Sequence, residues 1–246
     1  MKNIAQKTLL MSMVMASTAT YAASDHPKKL GTSGSGELGL SNNTGNTPSS
    51  SIYAALNMKY LQKMYELNGL LEANNKSENS VRTKERYVAD FQGNLYFSDY
   101  QKAYGFGQTR WVNDRFSDID LSSYYIAGLG YQFYKHQDFS LSSEFGLGYQ
   151  NENFTASSDK SDFDQEIVKI SGKLNYTIND NVSIHQDLTE YYGTKQGNFE
   201  SNTGLKVKVA DNLNMKVSYK YRYNTAPAAG KLKEDTETLL TMMYEF

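Results

Sequence analysis

The sequence predicts an all-β chain, an antiparallel transmembrane β-barrel of about twelve strands. Three observations predict it. Apolar and polar residues alternate with period two over most of the chain. Short and long connections alternate along it, and an export-type leader stands in front. Composition agrees: 20 Tyr and 11 Phe against 3 Pro suit strands, and tyrosine suits a membrane–water interface. The low mean hydropathy of -0.62 is compatible with a membrane barrel, because only alternate residues of each strand face lipid.

The leader comes first. Lys2 and Lys7 form a positive start, Leu9 to Ala16 is a short apolar run, and Thr20 and Ala22 sit at -3 and -1 of a cleavage site. Residues 1–22 read as a signal peptide and 23–33 as a flexible periplasmic N-terminus; the barrel then occupies 34–246. Loss of Lys2 and Lys7 takes the net charge from -2 to -4, so no basic field points to nucleic acid. Cysteine is absent, which excludes disulfides, thiolate metal sites and a cysteine nucleophile.

The clearest strands fall at 51–61, 65–74, 86–97, 139–152, 166–176, 202–210 and 215–224. In 86–97, for example, Tyr87, Ala89, Phe91 and Leu95 oppose Arg86, Asp90, Gln92 and Asn94. Weaker candidates fill 34–42, 103–113, 121–133, 182–191 and 236–246. Short turns are expected at 62–64, 98–102, 135–138, 179–181 and 211–214. Longer polar loops are expected at 75–84, 114–120, 151–165, 193–201 and 225–235, with a compact first loop at 43–48. The chain ends on Tyr244 and Phe246, which share a face. A terminal aromatic on an alternating strand is the expected signal for outer-membrane insertion machinery. A soluble sandwich or lipocalin-like barrel would turn the apolar face inward. The strand count, the aromatics near strand ends and the last Phe favour lipid outside.

With these residues in view, the mature chain resembles the salt-induced outer membrane protein family, a domain of unknown function. The resemblance is carried by Glu37-Leu38-Gly39-Leu40-Ser41, Glu85-Arg86-Tyr87, Phe106-Gly107-Gln108, Trp111 and Asp114-Arg115-Phe116. Gly128-Leu129-Gly130-Tyr131-Gln132 and Glu144-Phe145-Gly146-Leu147-Gly148-Tyr149 follow in order. It implies location and barrel architecture, and a link to osmotic or salt conditions. It brings no substrate, cofactor or catalytic residue.

If the polar face lines the lumen, its bases gather on late strands: Lys169, Lys173, Lys206, Lys208, Lys216, Lys220 and Arg222. The acids Glu37, Glu66, Glu72, Glu144 and Glu152 lie elsewhere around the ring. Two readings stay open. In one, facing walls of charge select small solutes or ions in a narrow porin-like channel. In the other, the charges pair and fill the lumen of a closed structural or loop-presenting barrel. A third reading, a barrel enzyme, rests on His185 beside Ser183 and Asp187. Neighbours two apart on one strand lie roughly 7 Å apart, too far for a relay. The acids Glu152, Asp159, Asp162 and Asp164 in 151–165 read as a solvated loop rather than a calcium site. The alternating glycines Gly105, Gly107, Gly128, Gly130, Gly146 and Gly148 make room for bulky neighbours on adjacent strands or for barrel curvature. No metal or cofactor is called for, and the expected surroundings are outer-membrane lipids and lipopolysaccharide.

Overall fold

The computed structural model describes residues 30–43, 49–98 and 100–246. The predicted leader, residues 1–22, lies outside the described residues.

Twelve antiparallel strands close into one ring in chain order: β1 (Gly31–Asn43), β2 (Ser49–Leu61), β3 (Tyr65–Glu78), β4 (Val81–Tyr96), β5 (Ala103–Asp114), β6 (Ile119–Lys135), β7 (Phe139–Phe154), β8 (Phe163–Asn179), β9 (Val182–Gly193), β10 (Asn198–Lys208), β11 (Leu213–Asn224) and β12 (Glu234–Glu245). A single 3-10 turn at Arg115–Ser117 is the one helical element of the described residues. β1 begins at Gly31, three residues ahead of the boundary read from the sequence. Closure joins Ser35 to Glu245 and Leu38 to Met242, and the Gly34 and Phe246 amides and carbonyls bond reciprocally at 2.9 and 3.0 Å. Closing the ring satisfies edge groups that lipid cannot hydrogen-bond.

The strands turn their apolar face outward. Leu95, Leu129, Leu147 and Leu240 are each more than 60% exposed, whereas Glu37, Glu144, Lys169 and Arg86 are buried inside the ring. That polarity is the reverse of a water-soluble barrel and fits lipid outside.

Connections at the end that carries β1's start and β12's finish run to at most six residues, 97–102 being the longest. The far end carries the eight-residue 155–162 and nine-residue 225–233 loops, but its connections are not uniformly long. The predicted loop at 75–84 is almost wholly strand, and β3 and β4 are joined by Asn79 and Ser80 alone, at φ 50° and 63°. Both positive angles are those of a two-residue hairpin turn. The reason is dimensional. A 16-residue strand such as β4 is about 53 Å long and, tilted about 40°, climbs about 40 Å, against an apolar band of about 25 Å. The strands therefore continue into water, where no lipid demands apolar alternation and the period-two signal fades.

Inside, bulky rings lie over glycines of the next strand. An added Cβ on Gly130 would stand 2.2 Å from the Tyr104 ring, and one on Gly204 would stand 1.8 Å from the His185 ring. Ile126 and Phe106 cover Gly146 in the same way, whereas at Gly128 and Gly148 a Cβ would first meet the neighbouring backbone carbonyls of Phe145 and Tyr125.

Candidate functional site: a charge web across the lumen

The lumenal charges form pairs, not two walls. Lys169 contacts Glu144 at 2.8 Å, Lys216 contacts Glu37 at 2.9 Å, and Lys220 contacts Glu72 at 2.6 Å. Arg222 takes Asp235 at 2.7 Å and Glu237 at 3.4 Å, while Lys206 takes Glu245 at 2.6 Å. Glu66 is met by Lys59 at 3.2 Å and accepts from the Tyr96 hydroxyl at 3.0 Å. Lys208 sits at the rim with Asp211, 3.6 Å away, outside the cluster assigned to it. Lys173 faces the lumen, in register with Asp187 on β9. Glu152 is held by neutral donors only: Ser122 at 2.8 Å, Gln150 at 2.6 Å and Gln196 at 3.0 Å.

The decisive group was not singled out from sequence. Glu200 on β10 receives Arg110 of β5 at 2.7 Å and Arg86 of β4 at 3.4 Å. β4 and β10 are six places apart on a ring of twelve, so this bridge crosses the full diameter. Arg86 also holds Glu72 at 3.3 Å and Asp114 at 3.4 Å, and Arg110 holds Asp90 at 3.0 Å. The result is a chain of alternating sign, Lys220–Glu72–Arg86–Glu200–Arg110–Asp90. Gln108 donates to Asp90 at 2.9 Å and accepts from Lys169 at 2.7 Å, extending the chain to the Lys169–Glu144 pair. The signal was partly present. Arg86 and Asp90 share the polar face of a clear strand, but Glu200 falls in a segment read as loop and Arg110 in a weak strand.

On the far side of the web lies a glutamine seal around Glu152. Gln165 donates to Gln150 at 2.7 Å and to the Gln196 carbonyl at 2.8 Å; Gln150 donates to the Tyr124 hydroxyl at 3.1 Å. The Tyr124 and Tyr191 rings pack beneath, centroids 4.8 Å apart. Loops tie over this cluster. Asp159 accepts from the Ala229 amide at 2.9 Å, Lys231 meets Asp118 at 3.2 Å, and Lys160 donates to the Ala226 carbonyl. The loop acids do not converge. Asp162 accepts from Phe154 N, and Asp164 from the Tyr149 hydroxyl. Among the described residues no group of three or more acids or histidines is arranged to hold a metal.

On the side of the termini the lumen holds a cavity of about 620 Å³, lined from Ser33, Lys59 and Phe246 at the rim to Arg86, Arg110 and Glu200. His185 does not join a relay: its ring lies on Gly204, and its Nε2 has no partner among the described residues.

A closed twelve-stranded barrel with an apolar exterior and a charged interior has the architecture of a porin-like transmembrane β-barrel. Its fold is similar to that of the NanC porin (TM-score 0.52, 10% identity, covering 87% of this chain and 98% of that one). It is equally similar to the COG4313 outer membrane channel of Pseudomonas putida F1 (TM-score 0.52, 10% identity, 93% and 100% covered). Residues 36–246 match the family described as "Protein of unknown function, DUF481", and the chain belongs to it. A relative is the uncharacterized protein YdiY of Escherichia coli (strain K12), 28% identical over 202 residues that span 82% of this chain and 78% of that protein.

Proposed function

We propose that this protein is a narrow outer-membrane channel for small solutes or ions that rests closed. The observation that carries the reading is the nature of the obstruction. A water-accessible cavity of about 620 Å³ lies on the terminal side of the lumen, and its lining includes the bridged side chains of Arg86, Arg110 and Glu200. Side-chain ion pairs rearrange without breaking the barrel, and charge-lined constrictions are the means by which pores select and gate. In this reading the leader directs export, Tyr244 and Phe246 present the terminal strand to the insertion machinery, both termini are periplasmic, and the long loops face outward. The link to salt conditions belongs to the same proposal.

One observation favours a second reading, a closed structural barrel: the web joins diametrically opposite strands and so braces the ring. Planar-bilayer recording of folded, purified protein separates the two. Discrete single-channel steps support the channel. A silent wild type that stays silent when the bridge is removed supports the brace and ends the channel reading.

A further inference from the structure

We propose that the outer wall of β2 to β6 carries a binding site for lipopolysaccharide, the acylated and phosphorylated glycolipid of the outer leaflet, with an acyl chain in a groove and a phosphate on Arg82 and Arg115. The inference rests on the outer-membrane placement proposed above, not on conduction through the lumen.

The groove lies on the lipid face and encloses about 560 Å³. Two outward rows build it. Leu56, Leu71, Ala89 and Trp111 are register partners along one row; Ala54, Ala73, Tyr87 and Asn113 along the next, toward the far end. The three alanines make the floor, and the Tyr87 and Trp111 rings with the leucines make the walls. Elsewhere the same surface projects large side chains such as Leu129, Phe133 and Leu147. A chain-sized recess here is a departure from the rest of the wall.

The headgroup end supplies the complementary charge. Directly beyond Tyr87 on β4 comes Glu85, in register with Asn75, whose side chain accepts from the Tyr87 hydroxyl at 3.3 Å. Glu85 is covered by two guanidiniums, Arg82 at 2.7 Å and Arg115 at 3.7 Å. Their side chains remain 56% and 61% exposed. Two exposed arginines share one buried carboxylate, leaving a net positive charge and free donors in the geometry that matches a phosphate. From barrel middle to rim the stripe therefore runs apolar groove, phenol and amide, then paired guanidiniums. That order is the order of acyl chain, glycerol- or sugar-level hydroxyls and phosphate in a leaflet. The far end also bears the long loops, which the proposed orientation places outside the cell, where the phosphorylated lipid is the glycolipid.

Trp111 is the only tryptophan in the chain, so its fluorescence reports the groove directly. The experiment titrates lipid A into folded protein in detergent and follows Trp111 emission. The wild type should give a saturating change. Arg82→Ala/Arg115→Ala should raise the midpoint on the order of tenfold or more, the effect of losing charge-assisted bonds to phosphate. Dephosphorylated lipid A should bind the wild type as weakly as lipid A binds that variant. Ala73→Phe, which fills the floor, should abolish the response while heat-modifiable gel migration shows a folded barrel. Equal midpoints for phosphorylated and dephosphorylated lipid, or an unchanged midpoint in the double arginine variant, would overturn the proposal. Phosphatidylglycerol matching lipid A would overturn the assignment to the glycolipid.

Discussion

Removing the Glu200 carboxylate isolates what the cross-lumen bridge does. In Glu200→Ala neither arginine is stranded, because Arg86 keeps Glu72 and Asp114 and Arg110 keeps Asp90. The folding cost is therefore expected to be about 1 kcal/mol, near that of a partly exposed pair, since the Glu200 side chain is 31% exposed. It should not reach the roughly 3–5 kcal/mol that follows when a buried charge loses its partner. The lumen effect should be large by comparison. The two guanidiniums lose the acid that holds them across the diameter, and the constriction loses one negative charge. Planar bilayers in a KCl gradient provide the assay. The variant should show larger or more frequent openings than wild type, with the reversal potential shifted toward anion preference. Conductance and selectivity identical to wild type, in a variant with the heat-modifiable migration of a folded barrel, would refute the gating role of the bridge.

Two further perturbations test the packing of the interior. Lys169→Ala leaves Glu144 buried without its cation and should cost about 3–5 kcal/mol, whereas Lys169→Met with Glu144→Gln should recover most of it; urea midpoints of refolding measure both. Gly204→Ala drives a methyl into the His185 ring and should cost about 1–3 kcal/mol. Adding His185→Ala should relieve that loss, and a double variant no better than the single would show that the ring is not the obstacle.

The fold was legible in the sequence wherever lipid imposes a rule. Alternation marked every clear strand of the apolar band and put Glu72, Glu144, Lys169 and Lys220 on the polar face; the strand count, the strand-end aromatics and the last Phe, not parity, pointed that face inward. Beyond the band the rule lapses. Asn75 to Glu78 continue β3 with no apolar residue to announce them, and Asn198 to Glu200 begin β10 with Phe199 as their one apolar residue, too short a stretch to show a period. That is why Glu200 was missed. Pairing across the ring was illegible for a different reason. Parity assigns a side chain to the lumen, but which opposite strand it reaches depends on the barrel's radius and stagger. The bases of β8 and β11 therefore read as a wall, although Lys169 meets Glu144 on an adjacent strand and Lys220 meets Glu72 four strands away.

Reporter cysteines distinguish a barrel closed toward its long loops and open toward its termini from one open at both ends. The chain has none of its own. Leu232→Cys stands in the 225–233 loop, where Leu232 is 86% exposed, and Thr189→Cys lines the terminal cavity in register with Glu200. A membrane-impermeant maleimide is added to intact cells, and then to cells with the outer membrane permeabilised. The closed, outward-looped barrel predicts immediate labelling at 232 and labelling at 189 only after permeabilisation. Equal labelling of both positions in intact cells would contradict it.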